Sequence, residues 1–141
     1  MNVVLDTNVF LALCKGEVIS SNVRAKIIRD CDPIFLTPDL FKEYYNVLKR
    51  LGLTDIIIQS NLQLFASYGK LKHKDETMNK IENIVTHEKD RHLIECAFYN
   101  NCVIITIEKN HLLNIRNEIT AITNIQIFSP EEYLNQISIK K

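Results

Sequence analysis

Four carboxylates stand where separate elements could aim them at one place. Asp6 ends the apolar run Val3-Val4-Leu5 and is followed at once by Thr7 and Asn8. Glu43 borders the apolar face of a helical pattern, alongside Leu40 and Val47. Asp90 opens a second helical pattern, and Glu108 lies just past the apolar stretch Ile104-Ile105-Thr106. In open α/β sheets, ligands bind at the carboxyl ends of the strands. Acids converging on that edge would suit a hard divalent cation such as Mg²⁺, which takes oxygen ligands and keeps several waters. Such a cation lowers the pKa of a water and offsets charge on a phosphodiester. Without it, crowded acids should hold one or more raised pKa values.

Each residue also has a plainer reading. Asp6 suits a simple helix cap, Glu43 a solvated helix face and Asp90 an N-cap. Glu108 is one acid in a polar loop, and Thr106 can simply end a strand. Periodicity by itself does not show that the four side chains meet.

The elements that must position them follow from local signals. Asn2–Asp6 reads as a buried strand, and Val9–Cys14 as a short helix broken by Gly16. Ser20 or Ser21 can cap a helix through Val23, Ile27 and Ile28 that ends near Asp32-Pro33. After a second strand at Ile34-Phe35-Leu36, Thr37-Pro38-Asp39 supplies a cap, a proline at the first helical position and an acid in the first turn. Leu40, Tyr44, Val47, Leu48 and Leu51 then form an apolar face. Thr54 caps a helix through Ile58, Leu62 and Phe65, ending at Gly69. A basic connector at Lys70, Lys72 and Lys74 precedes a helix carrying Met78, Ile81, Ile84 and Val85. Asp90 begins a helix with Leu93, Ile94, Ala97 and Phe98, and Cys102–Ile105 is a third strand. A helical turn at His111–Arg116, a fourth strand at Ile125–Phe128 and a helix through Tyr133, Leu134 and Ile137 complete the pattern. Ser129-Pro130-Glu131-Glu132 is a capping box. Strands alternating with helices predict an α/β fold, with a parallel sheet covered on both faces.

Length of 141 residues suits one domain, 1–141. Lys and Arg balance Asp and Glu at 17 each, so any field that attracts phosphate must be local. Cys14, Cys31, Cys96 and Cys102 form no C-x-x-C pair and read as packed, reduced thiols, which argues against zinc. No basic leader region and no apolar run of spanning length is evident, so a cytoplasmic protein away from membranes is expected.

The order of these residues resembles the PIN-domain family, the VapC-type ribonucleases. The match runs through Val3-Val4-Leu5-Asp6-Thr7-Asn8-Val9-Phe10, then Thr37–Glu43, then His87–Ala97 around Asp90. It continues through Ile104-Ile105-Thr106-Ile107-Glu108-Lys109-Asn110-His111-Leu112-Leu113 and closes at Ser129–Leu134. The resemblance implies a three-layer, Rossmann-like fold with a central parallel sheet of four to five strands flanked by helices. It implies metal-dependent hydrolysis of RNA, with Asp6, Asp90 and Glu108 binding Mg²⁺ or Mn²⁺. Glu43 would hold a metal or orient the attacking water. Asn8, Thr106 and Asn110 would support the site, and Arg91 and Lys109 would touch the RNA backbone. A small antitoxin protein and a homodimer are the implied partners. Two positions depart from the family pattern: Glu108 replaces an Asp, and Asn110 replaces a further acid. They leave an alternative, a PIN-fold module that binds RNA or protein with catalysis weakened or lost. An aspartyl-nucleophile phosphatase would want an acid in place of Asn8. A dinucleotide-binding domain would want a glycine-rich turn after the first strand, which is absent.

Overall fold

Asp6, Thr37, Thr106 and Ser129 each follow directly on the carboxyl end of a parallel strand. The computed structural model describes residues 1–63, 67–68, 80–81, 83–85, 88–108 and 112–136. Its strands are β1 (Asn2–Leu5), β2 (Phe35–Leu36), β3 (Ser67–Tyr68), β4 (Cys102–Ile105) and β5 (Ile127–Phe128). The helices are α1 (Thr7–Cys14), α2 (Val18–Asp30), α3 (Pro38–Arg50), α4 (Asp55–Leu62), α5 (Glu88–Asn100), α6 (Arg116–Thr123) and α7 (Pro130–Leu134).

Strands β1, β4 and β5 form a three-stranded parallel sheet in that order, and β2 pairs with β3 in a separate parallel pair. A single parallel bridge, Val3 to Ile34, ties the two together, supported by the Val3 amide donating to the Pro33 carbonyl at 2.9 Å. The expected sheet of four to five strands is thus corrected to a main sheet of three among the described residues. The β2 and β3 strands have two residues each, too short to extend the ladder beyond one bridge.

Alternation along the strands divides the core into two layers. Val4, Cys102 and Ile104 face Leu40, Tyr44, Leu48, Leu93 and Ile94 from α3 and α5. On the opposite face, Val3, Leu5 and Ile105 pack with Val9, Leu13, Val23, Ile27 and Tyr133 from α1, α2 and α7. Lys26 is buried in this second layer, paired with Asp30 at 2.8 Å and stacked over the Tyr133 ring at 4.3 Å. The Tyr133 hydroxyl in turn donates to Asp32 at 2.6 Å, which docks α7 against α2.

Caps account for several boundaries. Thr37 accepts from the Leu40 amide, Thr54 from the Ile57 amide, and Ser129 and Glu132 complete a reciprocal capping box. Other boundaries differ from the expectations. Helix α2 starts at Val18 behind Glu17, and Ser20 is buried within it. Helix α4 ends at Leu62, and Ser67–Tyr68 is a strand where a continuing helix was expected; Phe65, Gly69 and Met78 lie outside the described residues. Helix α5 starts at Glu88, so Asp90 is in its first turn instead of capping it. Residues 112–115 form turns where a helical turn was expected, and α6 follows over Arg116–Thr123, where no helix was expected. Leu51 is exposed, because α3 ends at Arg50 before the apolar face comes round again. Cys96 and Cys102 are buried, but Cys31 is exposed in a left-handed conformation just after α2. Lys70, Lys72, Lys74 and Ile137 also lie outside the described residues.

Candidate active site

Asp6 follows β1 and caps α1. Its Oδ1 accepts from the Thr7 amide at 2.7 Å, and its Oδ2 accepts from the Thr106 hydroxyl at 2.7 Å. The register of β1 on β4 places Leu5 opposite Ile105, so the residues that follow, Asp6 and Thr106, emerge side by side. Thr106 is fully buried and also accepts from the Glu108 amide at 3.1 Å. One hydroxyl therefore couples the ends of two strands to the loop that presents Glu108.

Helix α3 delivers Glu43, whose Oε2 accepts from the Thr7 hydroxyl. The next residue, Tyr44, is fully buried; its hydroxyl donates to the Leu5 carbonyl and its ring stacks on Phe10. These two contacts clamp α3 to the β1–α1 turn, which places Glu43 beside Asp6. Asp90 comes from the first turn of α5, where the helix dipole favours an acid.

Asp6, Asn8, Glu43, Asp90 and Glu108 line one cleft of about 290 Å³, together with Thr7, Leu11, Val47, Arg50 and Lys89. Burial is the main reason the Asp6 carboxyl is raised from an ordinary 3.8 to about 6. The hydrogen bonds from Thr106 and Thr7 pull it down, and the nearby charges of Asp90 and Glu43 push it up by lesser amounts. Crowding of acids is therefore a smaller cause of the raised value than desolvation. The buried Tyr44 hydroxyl stays protonated, its pKa well above 10 for the same leading reason.

The donors around the cleft are oxygen atoms, the set a hard divalent cation takes. The Asn8 side-chain oxygen is buried with no hydrogen-bond partner, an acceptor left available at the cleft wall. Among the described residues, no three His, Cys, Asp or Glu side chains are grouped closely enough to hold an ion as they stand. The acids share the cleft without closing on a single point.

Arg91 does not line this cleft, and its Nε is buried without a partner. Lys109 and Asn110 lie outside the described residues. The cations at the cleft are Arg50 and Lys89, which sequence reasoning passed over. Arg50 stands seven residues, two turns, after Glu43, and that spacing was the available signal. Thr7 was read only as part of the strand-end motif, although its hydroxyl holds Glu43.

A family model described as the PIN domain matches residues 2–109, most of the chain and all four carboxylates. The chain belongs to the PIN-domain family. Solved structures agree with this fold. VapBC2 from Rickettsia felis, bound to a DNA fragment from their promoter, is similar with a TM-score of 0.60 at 12% identity. The similarity covers 92% of this PIN domain chain and 98% of that one. PAE2754 from Pyrobaculum aerophilum is similar with a TM-score of 0.58 at 17% identity, covering 95% of this chain and 87% of that one. No curated protein matches this chain in sequence. Among the described residues of this PIN-domain protein, no helix is long and apolar enough to cross a membrane.

Proposed function

We propose that this PIN-domain protein is a metal-dependent endoribonuclease and the toxin of a toxin–antitoxin pair. The observation that carries this reading is the meeting of Asp6, Glu43, Asp90 and Glu108 in one cleft at the strand ends. Asp6, Asp90 and Glu108 would hold Mg²⁺ or Mn²⁺, with Asn8 as a neutral oxygen donor beside them. When bound, the cation would offset negative charge on the phosphodiester and acidify the attacking water.

The chain's own groups supply orientation. Thr106 and the Thr7 amide fix both oxygens of Asp6 and favour its ionised form against burial. Glu43 has one oxygen committed to the Thr7 hydroxyl, and its other oxygen would hold the metal or orient the attacking water. The Glu108 backbone is pinned through Thr106, which sets where its longer side chain starts. A small antitoxin that covers the acidic cleft is the proposed partner; the Rickettsia felis neighbour is itself a VapBC2 assembly. A homodimer and a cytoplasmic location belong to the same reading.

The test is cleavage of RNA by purified protein with Mn²⁺. Asp6→Asn is expected to abolish cleavage and relieve any toxicity on expression. Full cleavage by Asp6→Asn protein would overturn the assignment.

A second reading is a PIN-fold binding module with catalysis weakened or lost. It draws on the acids not closing on one point among the described residues and on the exposure of Glu108. Thermal denaturation with and without millimolar Mn²⁺ separates the two. A nuclease site gains stability with the ion and loses that gain in Asp6→Asn, whereas the binding module shows neither effect.

A further inference from the structure

A second groove of about 440 Å³ adjoins the acidic cleft, between the exposed side of α3 and the first turns of α5. Lys42, Asn46, Arg50, Lys89 and His92 line it, and Glu43 and Val47 form the shared boundary with the cleft. Arg50 and Lys89 face both spaces, while Lys42 belongs to the groove alone. All three cations are exposed, and none is held in an ion pair among the described residues. Elsewhere the surface cations Arg29, Lys49 and Arg116 are paired with Asp30, Asp55 and Glu132.

The acids of the neighbouring cleft repel any polyanion that approaches it. With a formal net charge of zero, the chain has no global field to offset that repulsion. Arg50 and Lys89 on the shared rim, with Lys42 beyond it in the groove, do so locally. Lys42 and Arg50 are eight residues apart on α3, about 12 Å along the axis, a longer reach than one phosphate needs. Asp39, about one turn before Lys42 on α3, also lines the groove and lowers its positive charge there.

We propose that this groove binds the backbone of a single-stranded RNA beside the phosphate held in the acidic cleft, through Lys42, Arg50 and Lys89. This rests on RNA being the substrate of the cleft. The groove takes phosphates next to the cleavage position and sets the direction in which the strand crosses the cleft. Base identity is not read by such contacts, since phosphate binding carries register and affinity.

The test uses the full chain carrying Asp6→Asn, so that RNA survives the measurement, and a labelled single-stranded oligouridylate. Binding is followed by fluorescence anisotropy over a salt series. Each of Lys42→Ala, Arg50→Ala and Lys89→Ala is expected to reduce the slope of log K against log salt by about 0.7, or about fivefold in affinity near 0.1 M salt. Arg29→Ala, on α2 and outside the groove, is the control and should keep the slope. Unchanged slopes in all three groove variants, or an equal loss in Arg29→Ala, would overturn the groove. Cleavage by the chain with Asp6 intact is measured in parallel. Slope losses without any cleavage would leave the groove standing as an RNA site and sink the nuclease reading instead.

Discussion

The Thr106 hydroxyl donates to Asp6 Oδ2 at 2.7 Å, joining residues a hundred positions apart in the chain. The bond exists because β1 and β4 are parallel neighbours in a register that pairs Leu5 with Ile105. Thr106→Val keeps the shape but removes the donor to Asp6 and the acceptor for the Glu108 amide. Stability should fall by about 1–3 kcal/mol in a urea titration. The Asp6 carboxyl would rise further, because the lost bond is one that lowers it. Mn²⁺ affinity, read by calorimetry, should drop by about 10–100-fold. Thr106→Ser restores the hydroxyl and should recover most of both losses.

Shortening Glu108 tests the departure from the family pattern. Glu108→Asp withdraws the carboxylate by about one carbon–carbon bond, roughly 1.5 Å. RNA cleavage is expected to be kept or raised, because the pinned backbone still presents the acid to the cleft. Total loss of cleavage would show that the longer reach is required.

The pH dependence of stability has a defined sign at Asp6. In the metal-free protein its carboxyl titrates near 6, against 3.8 ordinarily, so the folded state binds a proton that the unfolded chain has given up. That contribution is fully present below about 3.8 and is lost as pH rises through about 6. A shift of about two units is worth about 3 kcal/mol at most. Asp6→Asn mimics the protonated form. In chelator, it should be more stable than the unaltered chain at about pH 8, with the difference vanishing toward about pH 4. Equal denaturation midpoints at both pH values would contradict the burial of Asp6.

Tyr44→Phe probes the clamp between α3 and the end of β1. It leaves the Leu5 carbonyl without its buried donor while keeping the ring stacked on Phe10. The expected loss is about 1–2 kcal/mol, seen as a fall in Tm of about 5 °C.

Much of the scaffold was legible because it rests on contacts within four residues. The Thr37 cap with Pro38, and the Ser129–Glu132 capping box, appear as their residues predict. Helix boundaries failed where no such local signal decided them. The α2 start at Val18 has no side-chain cap, and Leu62 ends α4 without a breaker beside it. Strand β2 appears where Ile34-Phe35-Leu36 predicts it, but its partner β3 lay beyond reach because pairing energy comes from the neighbouring strand.

The candidate site divides in the same way. By itself, the sequence determined that Asp6 follows a buried strand, that Glu43 lies on a helix border and that Glu108 follows the strand Cys102–Ile105. Those placements depend on residue type and period alone. Only the tertiary structure decided that these acids share a cleft, that Thr7 holds Glu43, and that Arg50 and Lys89 rim it where Arg91 does not. It also decided that burial, more than repulsion, raises Asp6. Desolvation and proximity are set by strand register and helix packing between segments far apart in the chain, which no local spacing encodes.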